Sequence, residues 1–167
     1  MSKSGIKSIL NTIEKVNPLA TLMSSESISK VPYFISTGNY ALNAKISADL
    51  FKGIAGGRIT TLFGPSQSGK SLVSAHLQRN AQKDGITPII FDSEFDKDGR
   101  MEQSLGVDTS QVVTIPVNTV EDVIIQMGKV FDQIISNEEF GKYLIVLDSL
   151  GALGTEKLVE DAKKSKV

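Results

Sequence analysis

The order of segments along this chain predicts an α/β fold, a parallel sheet with helices on both faces. Three observations carry that prediction. From Gly57 onward, short apolar runs rich in β-formers alternate with amphipathic helical stretches. The run at 143–147, Tyr-Leu-Ile-Val-Leu, is apolar at every position, as a strand covered on both sides must be. The first of the β-rich runs leads straight into a glycine-rich turn that opens a helix.

At 167 residues the chain is one domain or part of a larger one, long enough to bury a core. An apolar share of 40% excludes a disordered polymer, and no stretch approaches the ~20 apolar residues of a membrane span. With no cysteine, disulfide scaffolds, thiolate metal sites and cysteine nucleophiles are excluded. One histidine, His76, leaves no basis for a histidine metal cluster. A net charge of -1 gives no bulk attraction to nucleic acid or to an anionic membrane. No signal sequence is evident at the start, which points to the cytoplasm of a cell or of an infected host.

Taken in order, Ile6, Ile9, Leu10, Ile13 and Val16 recur at helical spacing, so residues 5–16 are expected to form a short amphipathic helix. Pro18 and the serine-rich stretch at 24–29 read as a linker. Residues 58–63 read as the first core strand. Residues 71–83 read as a helix with Val73, Leu77 and Ala81 on one stripe and Gly85 closing it. A second strand is expected at 87–91, a short helix at 99–105 and a third strand at 111–115, stopped by Pro116. Residues 119–135 are strongly amphipathic, and Asn118 or Thr119 can cap them, with Glu121 or Asp122 following. The fourth strand is 143–147. The boundaries that follow are 1–31 for the helix and linker, 32–155 for the α/β core, and 156–167 for a charged, solvated tail.

Gly64-Pro65-Ser66-Gln67-Ser68-Gly69-Lys70-Ser71 matches the Walker A pattern throughout. Gly64 and Gly69 permit backbone angles that a Cβ disfavours. The N–H groups of the turn can then converge on an anion at a helix N-terminus. Lys70 supplies a cation for the β- and γ-phosphates, and Ser71 a hydroxyl for Mg²⁺. ATP with Mg²⁺ is therefore the expected cofactor.

Asp148 ends the fourth strand in a Walker B arrangement, where a carboxylate reaches the C-terminal edge of the sheet and can hold Mg²⁺ through water. The second strand ends Phe91-Asp92-Ser93-Glu94-Phe95-Asp96. Any one of Asp92, Glu94 and Asp96 could polarise an attacking water, and residue type does not choose among them. His76 reads as a surface or packing residue. Tyr33, Phe34, Tyr40 and Phe51 read as core or interface packing, not as a base-stacking platform.

Five blocks in order resemble the RecA family of recombinases, and within it the bacteriophage UvsX branch. They are Ile35-Ser36-Thr37-Gly38; Gly56-Gly57-Arg58-Ile59 with the turn that follows; Phe91-Asp92-Ser93-Glu94-Phe95; Leu105-Gly106-Val107-Asp108; and Val146-Leu147-Asp148-Ser149-Leu150. The resemblance covers about residues 33–155. It implies an ATP-dependent strand-exchange protein that coats single-stranded DNA as a helical filament in recombination, replication and repair. By position, Glu94 falls on the family's catalytic glutamate and Asp148 on its Mg²⁺-water aspartate. Asp98 falls near the adenine contact, although Gly99-Arg100-Met101 follows it in place of the usual proline and aromatic. The N-terminal helix is implied to dock on the next protomer.

Family members continue well past the Walker B aspartate, into both DNA-binding loops and the elements that couple ATP to DNA. The resemblance therefore implies a fold truncated after the Walker B strand, with single-stranded DNA bound through regions mostly absent here. It also implies a missing strand between the Walker B strand and the strand that enters the P-loop. Either those two strands close up directly, or the chain is one piece of a split protein with a complementary C-terminal fragment. Strand exchange by this chain alone is not expected. The competing readings are a non-catalytic fragment that interacts with filaments, and another ATPase of the same fold, such as a replicative helicase motor.

Overall fold

The computed structural model describes residues 3–18, 20–22, 30–95 and 98–164. They fall into two units that divide between Tyr33 and Phe34. In the first, helix α1 spans Lys3–Glu14, two residues earlier than the periodicity suggests at each end. Ile6, Ile9 and Ile13 are exposed on it. The expected serine-rich linker at 24–29 lies outside the described residues.

The second unit begins with elements that periodicity does not reveal. Strand β1, Phe34–Ile35, pairs antiparallel with β2, Ile54–Ala55, and helix α2, Tyr40–Ser47, lies between them in sequence. Asn43 of α2 is fully buried and holds this small subdomain together. Its Oδ1 accepts from the Thr37 N–H and hydroxyl at 2.9 and 2.7 Å, and its Nδ2 donates to Ser36 Oγ and the Leu50 carbonyl, each at 2.9 Å. Tyr40 and Phe51 do not join the core. They are exposed and meet edge to face at 5.6 Å.

Helix α3, Lys70–Lys83, is followed by β3, Thr87–Asp92, helix α4, Arg100–Ser104, and β4, Val113–Pro116. Helix α5, Val120–Ser136, and β5, Tyr143–Asp148, follow, and helix α6, Glu156–Lys164, ends the described chain. Thr119 caps α5, its side chain accepting from the Asp122 N–H at 3.1 Å. The third strand starts two residues later than expected because Asp108 opens a turn of 3₁₀ helix at Thr109–Gln111. The segment after Gly154, expected as a weakly helical tail, is helical in α6 and exposed.

Strands β4, β3 and β5 form one parallel sheet in that order. Alternation on β3 divides the core. Ile89 and Phe91 pack with Val117, Val123 and Met127 on the α5 side. On the other face Ile90 lines a cavity with Gln78 of α3 and Glu102 of α4. The family-like block at 105–108 is bolted to α3: the Gln82 amide donates to the Asp108 carbonyl at 2.8 Å and accepts its N–H at 2.9 Å. The first block is tied in the same way, by Asn80 Nδ2 donating to the Ser36 carbonyl at 2.8 Å.

Two expectations require correction. Residues 58–63 are not a strand: the chain there is irregular, and Ile59 and Phe63 are 98% and 99% exposed. The 143–147 run is not buried on both faces either, since every residue of β5 is only half-buried. One cause explains both. β5 pairs only with β3 among the described residues, so its outer edge has no strand beside it. Without a ladder partner the 58–63 run has no hydrogen bonds to hold it extended. The two segments do not close up on each other.

Candidate functional site

The turn at residues 64–71 joins an irregular segment to the N-terminus of α3. Gly69 is left-handed at φ 88° and its carbonyl accepts the first helical bond, from the Val73 N–H at 3.0 Å. Gln67 is also left-handed, at φ 61°, the one place in the turn where a side chain takes the strained conformation. Two left-handed residues thus flank Ser68, the kind of backbone turn that can gather N–H groups on an anion. None of the N–H groups of residues 66–69 is donated to a protein acceptor among the described residues. Pro65 has none to donate. A Cβ on Gly64 would lie 2.8 Å from Ser68 Oγ, so the two arms of the turn are close.

Lys70 folds back over this turn, its ammonium donating to the carbonyls of Gly64 at 3.1 Å and Pro65 at 2.8 Å. Ser71 is half-buried in the first turn of α3, and its hydroxyl makes no hydrogen bond among the described residues. Ser66 and Ser68 are exposed. A cation, a free hydroxyl and a row of undonated N–H groups at the start of a 14-residue helix suit a polyphosphate and its magnesium ion.

The carboxylates lie at the C-terminal edge of the sheet. Asp92 and Asp148 are direct partners at the ends of β3 and β5. Asp92 is 4% exposed, and its Oδ1 accepts the N–H groups of Glu94 at 3.1 Å and Phe95 at 3.0 Å. It shapes the turn that carries Glu94 and is spent on that work. Glu94 is exposed, and its Oε1 accepts from the Ser149 hydroxyl at 2.8 Å. Asp96 lies outside the described residues.

Asp98 is engaged elsewhere. Its carboxylate accepts from Arg100 Nε at 2.6 Å and from the Arg100 N–H at 3.0 Å. That pairing holds the Asp98 carboxyl below the usual carboxylate range and raises the guanidinium. Asp98 also borders the cavity of about 200 Å³ that Gln78, Glu102 and Thr114 line. His76 is half-buried on α3, with Nδ1 unpartnered.

Sequence reasoning missed Ser93 and Ser149. Ser93 Oγ donates to the Ser149 carbonyl at 2.6 Å and accepts the Ser149 N–H at 2.8 Å. The only signal was their position, each immediately after a strand-ending aspartate.

A parallel sheet with helices on both faces and this turn at the head of α3 defines the class: an α/β fold of the P-loop, RecA type. Residues 4–166 match the RecA N-terminal domain family, and the chain belongs to it. Among similar proteins, RecA of Lactobacillus delbrueckii subsp. bulgaricus is 30% identical over 152 residues, covering 90% of this chain and 43% of the relative. RecA of Nitratidesulfovibrio vulgaris is 28% identical over 155 residues, covering 92% and 41%. RecA of Saccharopolyspora erythraea is 35% identical over 111 residues, covering 65% and 30%. The chain thus spans about two fifths of the length of the first two.

Proposed function

We propose that this chain is the ATP-binding N-terminal part of a DNA strand-exchange recombinase, of the UvsX branch, working as an ATP-dependent filament on single-stranded DNA. The observation that carries the reading is the turn at 64–71. Its undonated N–H groups, Lys70 and Ser71 stand at the head of α3, on a sheet whose C-terminal edge carries Asp148 and Glu94.

ATP with Mg²⁺ supplies the triphosphate whose terminal bond is hydrolysed. The N–H groups of residues 66–69 bind phosphate oxygens, and Lys70 exchanges its two carbonyl partners for the β- and γ-phosphates. Ser71 and Asp148 would hold the metal, which would supply positive charge to the phosphate oxygens. Glu94 orients the attacking water and takes its proton. Asp98 reaches the adenine only by giving up Arg100, so base recognition is the weakest contact of the set.

Lys70→Ala is expected to abolish ATP binding by isothermal titration, and unchanged affinity would remove this reading. Glu94→Gln should leave ATP bound and slow its hydrolysis in the filament-forming protein. Equal turnover there would return the base to Asp92 or Asp96.

One observation favours a second reading, a fragment that joins filaments without turning over ATP. The outer edge of β5 and the 58–63 run lack strand partners among the described residues, so the turn at 64–71 is not held by a paired strand. ATP hydrolysis by the chain, measured with and without single-stranded DNA, separates the two, because only the first reading accommodates turnover.

A further inference from the structure

The geometry points to Ser149 as a positioning residue for Glu94, locked in place by Ser93; this rests on the reading of Glu94 as the base that orients water. Glu94 is on an exposed turn, where a glutamate with three rotatable side-chain bonds samples many rotamers. A general base needs one. Here two restraints act on it. The Asp92 carboxylate fixes the backbone of the turn through the N–H groups of Glu94 and Phe95. The Ser149 hydroxyl then holds the end of the side chain by donating to Oε1 at 2.8 Å. Oε2 is left to accept the proton of the water.

The donor is itself restrained. Ser93 is buried, and its hydroxyl accepts the Ser149 N–H and donates to the Ser149 carbonyl. The Ser93 N–H donates to the Asp148 carbonyl at 2.9 Å, carrying the β3–β5 ladder one step past both strand ends. Ser149 follows directly on Asp148. One stretch of backbone thus sets the metal-side carboxylate and the hydroxyl that aims the base. A shift of β5 against β3 would move Asp148 and Glu94 together.

The test is the side-chain rotamer of Glu94 in the nucleotide-free chain, read from three-bond couplings in labelled protein. The wild type should show one χ1 rotamer. Ser149→Ala should give the averaged couplings of a free surface glutamate, and Ser149→Thr, which keeps the hydroxyl, should restore the single rotamer. Averaged couplings in the wild type would overturn the proposal without any variant, so it stays testable should Ser149→Ala fail to fold. A single rotamer that persists in a folded Ser149→Ala would overturn it equally. In single-turnover hydrolysis by the filament-forming protein, Ser149→Ala should lower the rate roughly tenfold with ATP affinity unchanged, within the ~10²–10⁴-fold worth of a general base. Loss of affinity instead would assign Ser149 to binding and overturn the positioning role. Failure of the base reading has a different signature: Glu94→Gln turns over normally while the wild-type rotamer remains single.

Discussion

Two residues outside the site carry more of the fold than their sequence context suggests. Asn43 satisfies four groups from a fully buried position. Asn43→Ala strands the Thr37 N–H among them, and a stability loss of about 2–3 kcal/mol is expected by urea denaturation. Gly53 is required by space, since a Cβ there would lie 2.2 Å from the Ile35 carbonyl oxygen and 2.7 Å from the Thr37 nitrogen. Gly53→Ala should therefore prevent the β1–β2 pairing, seen as loss of the Ile35 and Ile54 amide signals from their native positions. Asp108 is held below the usual carboxylate range by the Ser110 hydroxyl, then the Gln111 amide and the Ser110 N–H. A lowered folded pKa means stability that is present above the unfolded value of about 3.9 and lost as pH falls through the folded one. Wild type should exceed Asp108→Ala in thermal midpoint at pH 7, and the part of that gap due to charge should vanish toward pH 2. At this scale the Walker A residues were legible because their spacing is their chemistry. Residue type did not separate Glu94 from Asp92, and only the resemblance favoured Glu94; what the fold adds is that Asp92 Oδ1 is engaged by the turn.

The helices were legible as elements, since the stripe Val123, Met127 and Val130 that packs on the core recurs at helical spacing. Their ends were less so. Asn118 and Thr119 are equally good caps on paper, and only the Thr119 side chain accepts the Asp122 N–H. Thr119→Ala should cost about 1 kcal/mol in a thermal melt, while Asn118→Ala should cost less. Residues 58–63 have the composition of a strand and do not form one. β-propensity describes how a side chain fits a paired surface, and here no pair is present. The two-residue strands β1 and β2 escaped notice because a stretch that short has no period to read.

For the molecule as a whole, the parallel sheet ends on β5, which pairs with no strand on its outer side among the described residues. Such an edge, together with the exposed Ile59 and Phe63, favours self-association. The double variant Ile59→Lys, Phe63→Lys is expected to leave the unfolding midpoint within about 0.5 kcal/mol of wild type, since neither side chain is buried. It should lower aggregation measured by light scattering. Hydrogen exchange should be slow across β3, which is bonded on both sides, and fast at residues 59–63. No helix among the described residues is long and apolar enough to cross a membrane.

The amino-acid sequence alone determined the class of fold, the order of the helices and strands from Lys70 to Asp148 and the family, and it singled out the turn proposed to take a triphosphate. Each of these is written in local spacing: a glycine-rich turn, a period of two or of 3.6, an aspartate at a strand end. Only the tertiary structure decided that Asp92 is engaged by the turn after β3, that Asp98 is paired with Arg100, that Ser93 and Ser149 link the strand ends, and that the 58–63 run stays unpaired among the described residues. Those depend on what lies across space from each residue, and hydrogen-bond partners 50 or more positions apart leave no trace in local pattern.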